Sequence, residues 1–184
     1  MSTLPALERV AAAEVQAGPE IPRLAGFMAS DFAPLVYAAV RACVGDARSE
    51  HLLQGVGDRV GIVLGSRRFD TVTLELSVEQ VNRGRISPIL FYQAVPTAVL
   101  GQIARDYRLT GPVSCVAVTG DARAEVLELA RVLLADEGAE WVLGLTVEMD
   151  PDPAKAFAAA DLVRSASGPA EPSKISGPSD RRVS

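Results

Sequence analysis

A thiol, an imidazole or a glycine-rich turn could give this chain a reaction, and each is scarce. The 184 residues hold two cysteines, Cys43 and Cys115, and one histidine, His51. Cys43 stands at helical spacing from Ala39 and Val40 and reads as a small core residue. Cys115 lies in the apolar run 113–119 and reads as a residue of a buried strand. A general base needs a partner that orients it. His51, set between Glu50 and Leu52-Leu53 outside any motif, has none in sight and reads as a loop residue. Two thiols are too few for a disulfide framework, and neither has a companion at metal-ligand spacing, so structural zinc is excluded on ligand count. The run Gly61-Ile-Val-Leu-Gly-Ser-Arg67 has the look of a phosphate loop. It lacks both the Gly-Lys-Ser/Thr ending and the Gly-x-Gly-x-x-Gly spacing that cradle phosphate, so it implies no nucleotide, and no other cofactor is implied.

Charge narrows the partners. The formal net charge is −5 and the isoelectric point near 5.0, which argues against nucleic acid, whose binding needs clustered cations. Sixteen of the 18 basic residues are arginine, a bias of composition rather than a functional signal. Mean hydropathy is +0.20, yet no stretch approaches the roughly 18–20 uninterrupted apolar residues of a membrane span. No membrane association is expected, residues 1–6 show no secretory pattern, and a cytoplasmic location is the expectation.

The elements that must position these residues alternate between two periods. Residues 4–16 are Ala-rich and predict a helix, ended by Gly18-Pro19 and Pro22, so 1–21 is expected to be a helical arm. A second helix should start at Ser30 or Asp31, carry Phe32, Leu35, Val36, Ala39, Val40 and Cys43 at helical spacing, and stop at Gly45. Residues 59–65 suit a strand buried on both faces. Residues 71–82 mix both periods and are assigned to a helix. Residues 88–107 predict a helix interrupted near Pro96, and Gly111-Pro112 then turns the chain into a second buried strand at 113–119. Residues 122–136 predict an apolar helix with Asp121 as N-cap and Gly138 as its stop, and 141–148 a third strand. Strand, helix, strand, helix, strand implies a layered α/β domain over 22–150 with a right-handed crossover. Beyond it, 151–164 predicts a short Ala-rich helix, and 165–184 has the Ser, Gly, Pro and charge content of a disordered tail.

The stretch Ser87-Pro-Ile-Leu-Phe-Tyr-Gln-Ala-Val-Pro-Thr-Ala-Val-Leu-Gly-Gln-Ile-Ala104, followed by Leu109-Thr-Gly-Pro112, resembles the N-terminal half of β-ketoacyl synthases, as does the strand from Asp58 to Gly65. The resemblance covers residues 31–148. It implies a thiolase-like half-domain: an α/β/α layered fold with a mixed sheet and flanking helices. In that family a cysteine nucleophile follows the proline of the turn by eight residues, where a strand ends and a helix begins, and the helix N-terminus favours the thiolate. Here that position is Gly120, which carries no side chain, and Asp121 stands where small neutral residues are usual. Cys115 lies five residues back along the strand, roughly 16 Å away at about 3.3 Å per residue, and cannot substitute. The family's two catalytic histidines come from a second half-domain that this chain is expected to lack. Thr97 stands where asparagine is common, and the family's opening strand and Gly-rich turn are not recognisable before Pro22, so the resemblance implies a fragment trimmed at both ends.

By the same resemblance the chain is a catalytically silent ketosynthase-like subunit similar to a shortened chain-length factor, the inactive partner in type II polyketide and fatty-acid synthases. Such a subunit works through association with itself or with a full-length ketosynthase. In the thiolase fold the strand before the nucleophile pairs across the dimer axis, so the resemblance places the interface at Val113, Ser114, Cys115, Val116, Ala117 and Val118, flanked by Phe91 and Val95. A half-fold also leaves uncovered the face its repeat would hide. Arg67 with Arg68, and Arg83 with Arg85, are candidate contacts for an acidic acyl carrier protein, or solvated loop charges. Two alternatives stay open: one component of a split ketosynthase or acyltransferase whose other half is another chain, and a remnant that only folds.

Overall fold

Seven consecutive residues of one strand, β2 (Val60–Ser66), are all buried, and the rest of the fold is arranged to bury them. A strand takes neighbours at both edges and cover on both faces only inside a layered sheet. The computed structural model describes residues 4–136 and 138–166, and in it β2 pairs in parallel with β3 (Val113–Ala117) on one side and with β4 (Trp141–Glu148) on the other. Two antiparallel strands, β5 (Phe157–Ser165) and β1 (Leu7–Gln16), extend the sheet beyond β4, giving the order β1-β5-β4-β2-β3.

Side-chain alternation along the strands divides two cores. Ile62 and Leu64 of β2, Leu143, Leu145 and Val147 of β4, and Ala158, Ala160 and Leu162 of β5 face one layer, formed by α1 (Phe32–Val44) and α4 (Thr97–Tyr107). Val63, Val142 and Val163 face the other, where α5 (Ala122–Ala135) supplies Val126 and Ala130. α2 (Thr71–Asn82) and α3 (Pro88–Ala94) pack on each other between β2 and α4 in the chain. The mixed sheet with helices on both faces is the expected α/β/α arrangement.

Most boundaries follow local chemistry. α1 ends where Gly45, at φ 98°, returns its N–H to Arg41. Asp70, Ser87 and Asp121 each accept a backbone N–H as N-caps of α2, α3 and α5. Pro96 divides α3 from α4, and α5 ends at Ala135 with Asp136 as its cap, short of Gly138. The glycines of the apparent phosphate loop are packing devices: a β-carbon on Gly65 would stand 2.4 Å from Val126 of α5, and one on Gly61 3.3 Å from Pro112.

Three expectations are corrected. Residues 7–16 are a strand, not a helical arm, and they place a strand before Pro22 where the sequence shows none. Residues 157–165 are likewise a strand, not a short helix, and Ser165, expected in a disordered tail, is its last residue; residues 167–184 lie outside the described residues. Alanine favours helices by well under 1 kcal/mol per residue. Here that preference loses to nine pairings between β1 and β5 and eight between β5 and β4. The third correction concerns β3, which is the sheet's edge and not a buried interior strand: Val113 is 49% exposed and the middle residues are half-buried.

Candidate functional site

Parallel strands β2, β3 and β4 all end on one side of the sheet, where open α/β folds place their ligands. The loop from β3 to α5 crosses this end. Val118 keeps it in register by donating its N–H to the Ser66 carbonyl at 3.1 Å, and Asp121 caps α5 by accepting from Ala124 N–H at 3.0 Å. Gly120, the position the ketosynthase resemblance assigns to a nucleophile, sits exposed between them. Its carbonyl accepts from the Arg67 guanidinium at 2.7 Å, and Arg67 also lies 3.9 Å from the Glu148 carboxylate at the end of β4. Glu125, one turn into α5, folds back: its Oε1 accepts from Thr119 N–H at 3.2 Å and from Gly120 N–H. The loop therefore offers backbone donors that are already engaged and, at position 120, no side chain.

The remaining candidates are scattered and quiet. Cys115 is on β3, half-buried, and burial raises its thiol pKa; burial does the same for Cys43 in the α1 core. Both are poor thiolates at neutral pH. His51 packs edge-on against Tyr107, ring centres 5.1 Å apart, with a buried Nδ1 that has no hydrogen-bond partner. Among the described residues it has no orienting carboxylate, as a base would need. No cluster of His, Cys, Asp or Glu among the described residues could hold a metal ion, and no described helix is long and apolar enough to cross a membrane.

Of the association residues, Val113, Ser114, Cys115, Val116 and Ala117 form the β3 edge, whereas Val118 is buried behind it. Phe91 is 72% exposed on α3, and Val95 follows that helix. The four arginines do not form one patch. Arg67 and Arg68 precede α2 and Arg83 and Arg85 follow it, separated by a twelve-residue helix, about 18 Å long. Arg67 is committed to Gly120 and Arg83 to Glu79, and only Arg68 and Arg85 keep side chains without a partner among the described residues.

Sequence reasoning missed two arrangements. Asp161 of β5 is 2% exposed and takes a bidentate contact from Arg123 of α5 at 2.7 and 2.8 Å and another from Arg9 of β1 at 2.8 Å. These three residues come from both ends of the chain, and the two strands involved have the alanine content of helices. A cavity of about 800 Å³ on the outer side of α1 is lined by Tyr37, Arg41, Arg48, Arg105 and Asp106 among others. Asp106 there accepts from Tyr37 and Gln102, both at 2.8 Å.

No family model matches the chain, and no curated protein matches it in sequence. Solved structures do match. An ishigamide ketosynthase/chain length factor structure superposes with a TM-score of 0.65 at 19% identity, over 77% of this chain and 45% of that one. A ketosynthase in complex with its chain length factor from Xenorhabdus doucetiae gives 0.58 at 20% identity, over 79% and 62%. A β-ketoacyl synthase from Burkholderia phymatum gives 0.62 at 12% identity, over 82% and 46%. The chain thus spans about half the length of the structures it resembles. At these identities the likeness speaks for architecture, and it agrees with the observed strand order and layers: the chain has a thiolase-like, ketosynthase-like fold.

Proposed function

We propose that this chain is a non-catalytic ketosynthase-like subunit of type II polyketide or fatty-acid biosynthesis that acts by associating with a ketosynthase. The observation that carries the reading is the surface of the α2–α3 region. Of fifteen large apolar side chains that are exposed in the described residues, ten fall between Val72 and Val95. Ile86 is 84% exposed and Phe91 72%, beside Ile89, Tyr92, Val78 and Val81. Such a concentration on one helix pair exceeds the scattered apolar residues of ordinary surfaces and marks a contact face. β3 adds an unpaired strand edge, a template for main-chain hydrogen bonding to another chain. That the neighbouring folds include ketosynthase and chain length factor structures supports a ketosynthase as the partner. The loop at Gly120 supports a non-catalytic part, since it presents no thiol at the position the resemblance assigns to the nucleophile. Arg68 and Arg85 leave room for a weaker electrostatic contact with an acyl carrier protein.

The test is to purify the chain alone and together with a full-length ketosynthase from the same pathway, and to measure mass in solution and product chain length. A complex of defined stoichiometry, with product length altered when the chain is omitted, is the expected outcome. A chain that stays monomeric and never co-purifies ends the proposal.

A further inference from the structure

Gly120 is not explained by its backbone. The glycines at positive φ are Gly26, Gly45, Gly55 and Gly84, and Gly120 is not among them, so its conformation is open to residues with a side chain. What stands in the way is one atom. A β-carbon at position 120 would meet Glu125 Oε1 at 3.0 Å and, beyond its two chain neighbours, no other atom within 4 Å. That oxygen is the one that accepts both loop donors, Thr119 N–H and Gly120 N–H. It is the end of a flexible side chain and needs to give by only a few tenths of an ångström, a shift that disturbs the geometry of two charge-assisted hydrogen bonds.

From this geometry we infer that Gly120 and Glu125 form a single lock at the carboxyl end of β3: the carboxylate holds the loop amides and disfavours a side chain at 120. The lock is intramolecular and stands apart from the proposed association. It closes the loop in two ways, because the amides that could stabilise charge on a reacting group are taken by the chain's own carboxylate, and a side chain introduced at 120 would meet a negative charge. Arg67, bound to the Gly120 carbonyl on the other side of the same residue, holds the loop in this arrangement. A substitution at 120 alone therefore leaves the loop amides engaged by Glu125, and one at 125 frees them.

The experiment uses the full chain in four forms: unchanged, Gly120→Ala, Glu125→Ala and the double variant, each followed by thermal melting. With Glu125 present, Gly120→Ala is expected to lower the melting temperature by about 3–6 °C. With Glu125 replaced, the same change is expected to be neutral or stabilising, because the new methyl meets nothing and the unfolded chain loses freedom. A second comparison needs no stability change: Gly120→Cys with and without Glu125→Ala, reacted with iodoacetamide at pH 7.5 and quantified at position 120 by peptide mass. The carboxylate disfavours the thiolate and occupies its amide donors, so removing it should raise the alkylation rate more than about fivefold. Equal melting shifts in both backgrounds, or a rate ratio of about five or less, would overturn the lock.

Discussion

The two edges of the sheet are built on opposite plans. β1 carries Glu8, Arg9 and Glu14 and has a register shift between Arg9 and Ala11. Two of those charges are paired within the sheet, Glu8 with Arg164 across the strand pair and Arg9 with the buried Asp161. β3 has no charge and no register shift over Val113–Ala117, and Val113 is half-exposed. A charged, bulged strand resists pairing with another chain, and a short regular uncharged one invites it. The difference teaches that exposure alone does not make an interface. Both edges face outward, and only one is left without the features that block strand addition.

The comparison breaks most severely at Asp161. Asp161→Asn keeps the volume but removes the charge that binds Arg123 and Arg9, and sets an amide N–H₂ against at least one guanidinium group. Both arginines retain access to water, so the loss falls below that of a fully buried pair, about 2–3 kcal/mol. Denaturant unfolding measures it, and amide exchange should show β1 loosening before β4. If stability is unchanged, β1 is held by strand pairing alone and its charges are ornament.

A lysine on the other edge gives the next largest effect. Val113→Lys puts onto β3 the type of residue β1 already has. Stability should change by less than about 0.5 kcal/mol, as at other exposed positions, while affinity for a ketosynthase partner falls about 30-fold, close to 2 kcal/mol. Glu14→Lys on β1 serves as the control and should leave affinity alone. Titration calorimetry with the purified partner distinguishes them, and equal losses at both positions would remove the distinction between the edges.

How much of this was legible in the sequence depends on where the period of the pattern came from. β2 was visible because it is buried on both faces and reads as one apolar run; α1 and α5 were visible because Phe32, Leu35, Val36 and Val126, Ala130 recur every three or four residues. β1 was hidden because Ala12 is as apolar as its inward neighbours Ala11 and Ala13, which erases a period of two. β5 was hidden because Ala158, Ala159 and Ala160 are all buried between two layers, a pattern that helix and strand share. At the loop, Asp121 announced itself as a cap, and Gly120 as the position the ketosynthase resemblance assigns to a nucleophile. Glu125 did not, since a carboxylate one turn into a helix looks like a solvated charge until its oxygen is seen on Thr119 and Gly120.

The smallest effect separates the edges by acid. The hydrogen bond from Arg164 holds the Glu8 carboxyl below its ordinary value of 4.5, against a smaller opposing effect of desolvation. A group whose pKa is depressed by folding contributes stability above its unfolded value and loses it as pH falls through the folded one. The Glu8–Arg164 contact is therefore intact at pH 7, its contribution begins to fall below 4.5 and is lost as pH drops through the lowered folded value, and because the pair is solvent-exposed the change is modest. β3 has no carboxylate to titrate, and Cys115, its thiol pKa raised by burial, stays neutral throughout. Amide exchange corrected for intrinsic rates should show protection of the β1 amides that donate to β5 falling on the order of twofold between about pH 4.5 and pH 3 relative to those of β3 that donate to β2. Glu8→Gln should remove that acid dependence. If the variant loses the same protection over the same range, the acid response belongs to another group, and Glu8 guards the edge only by its presence and not by its bond.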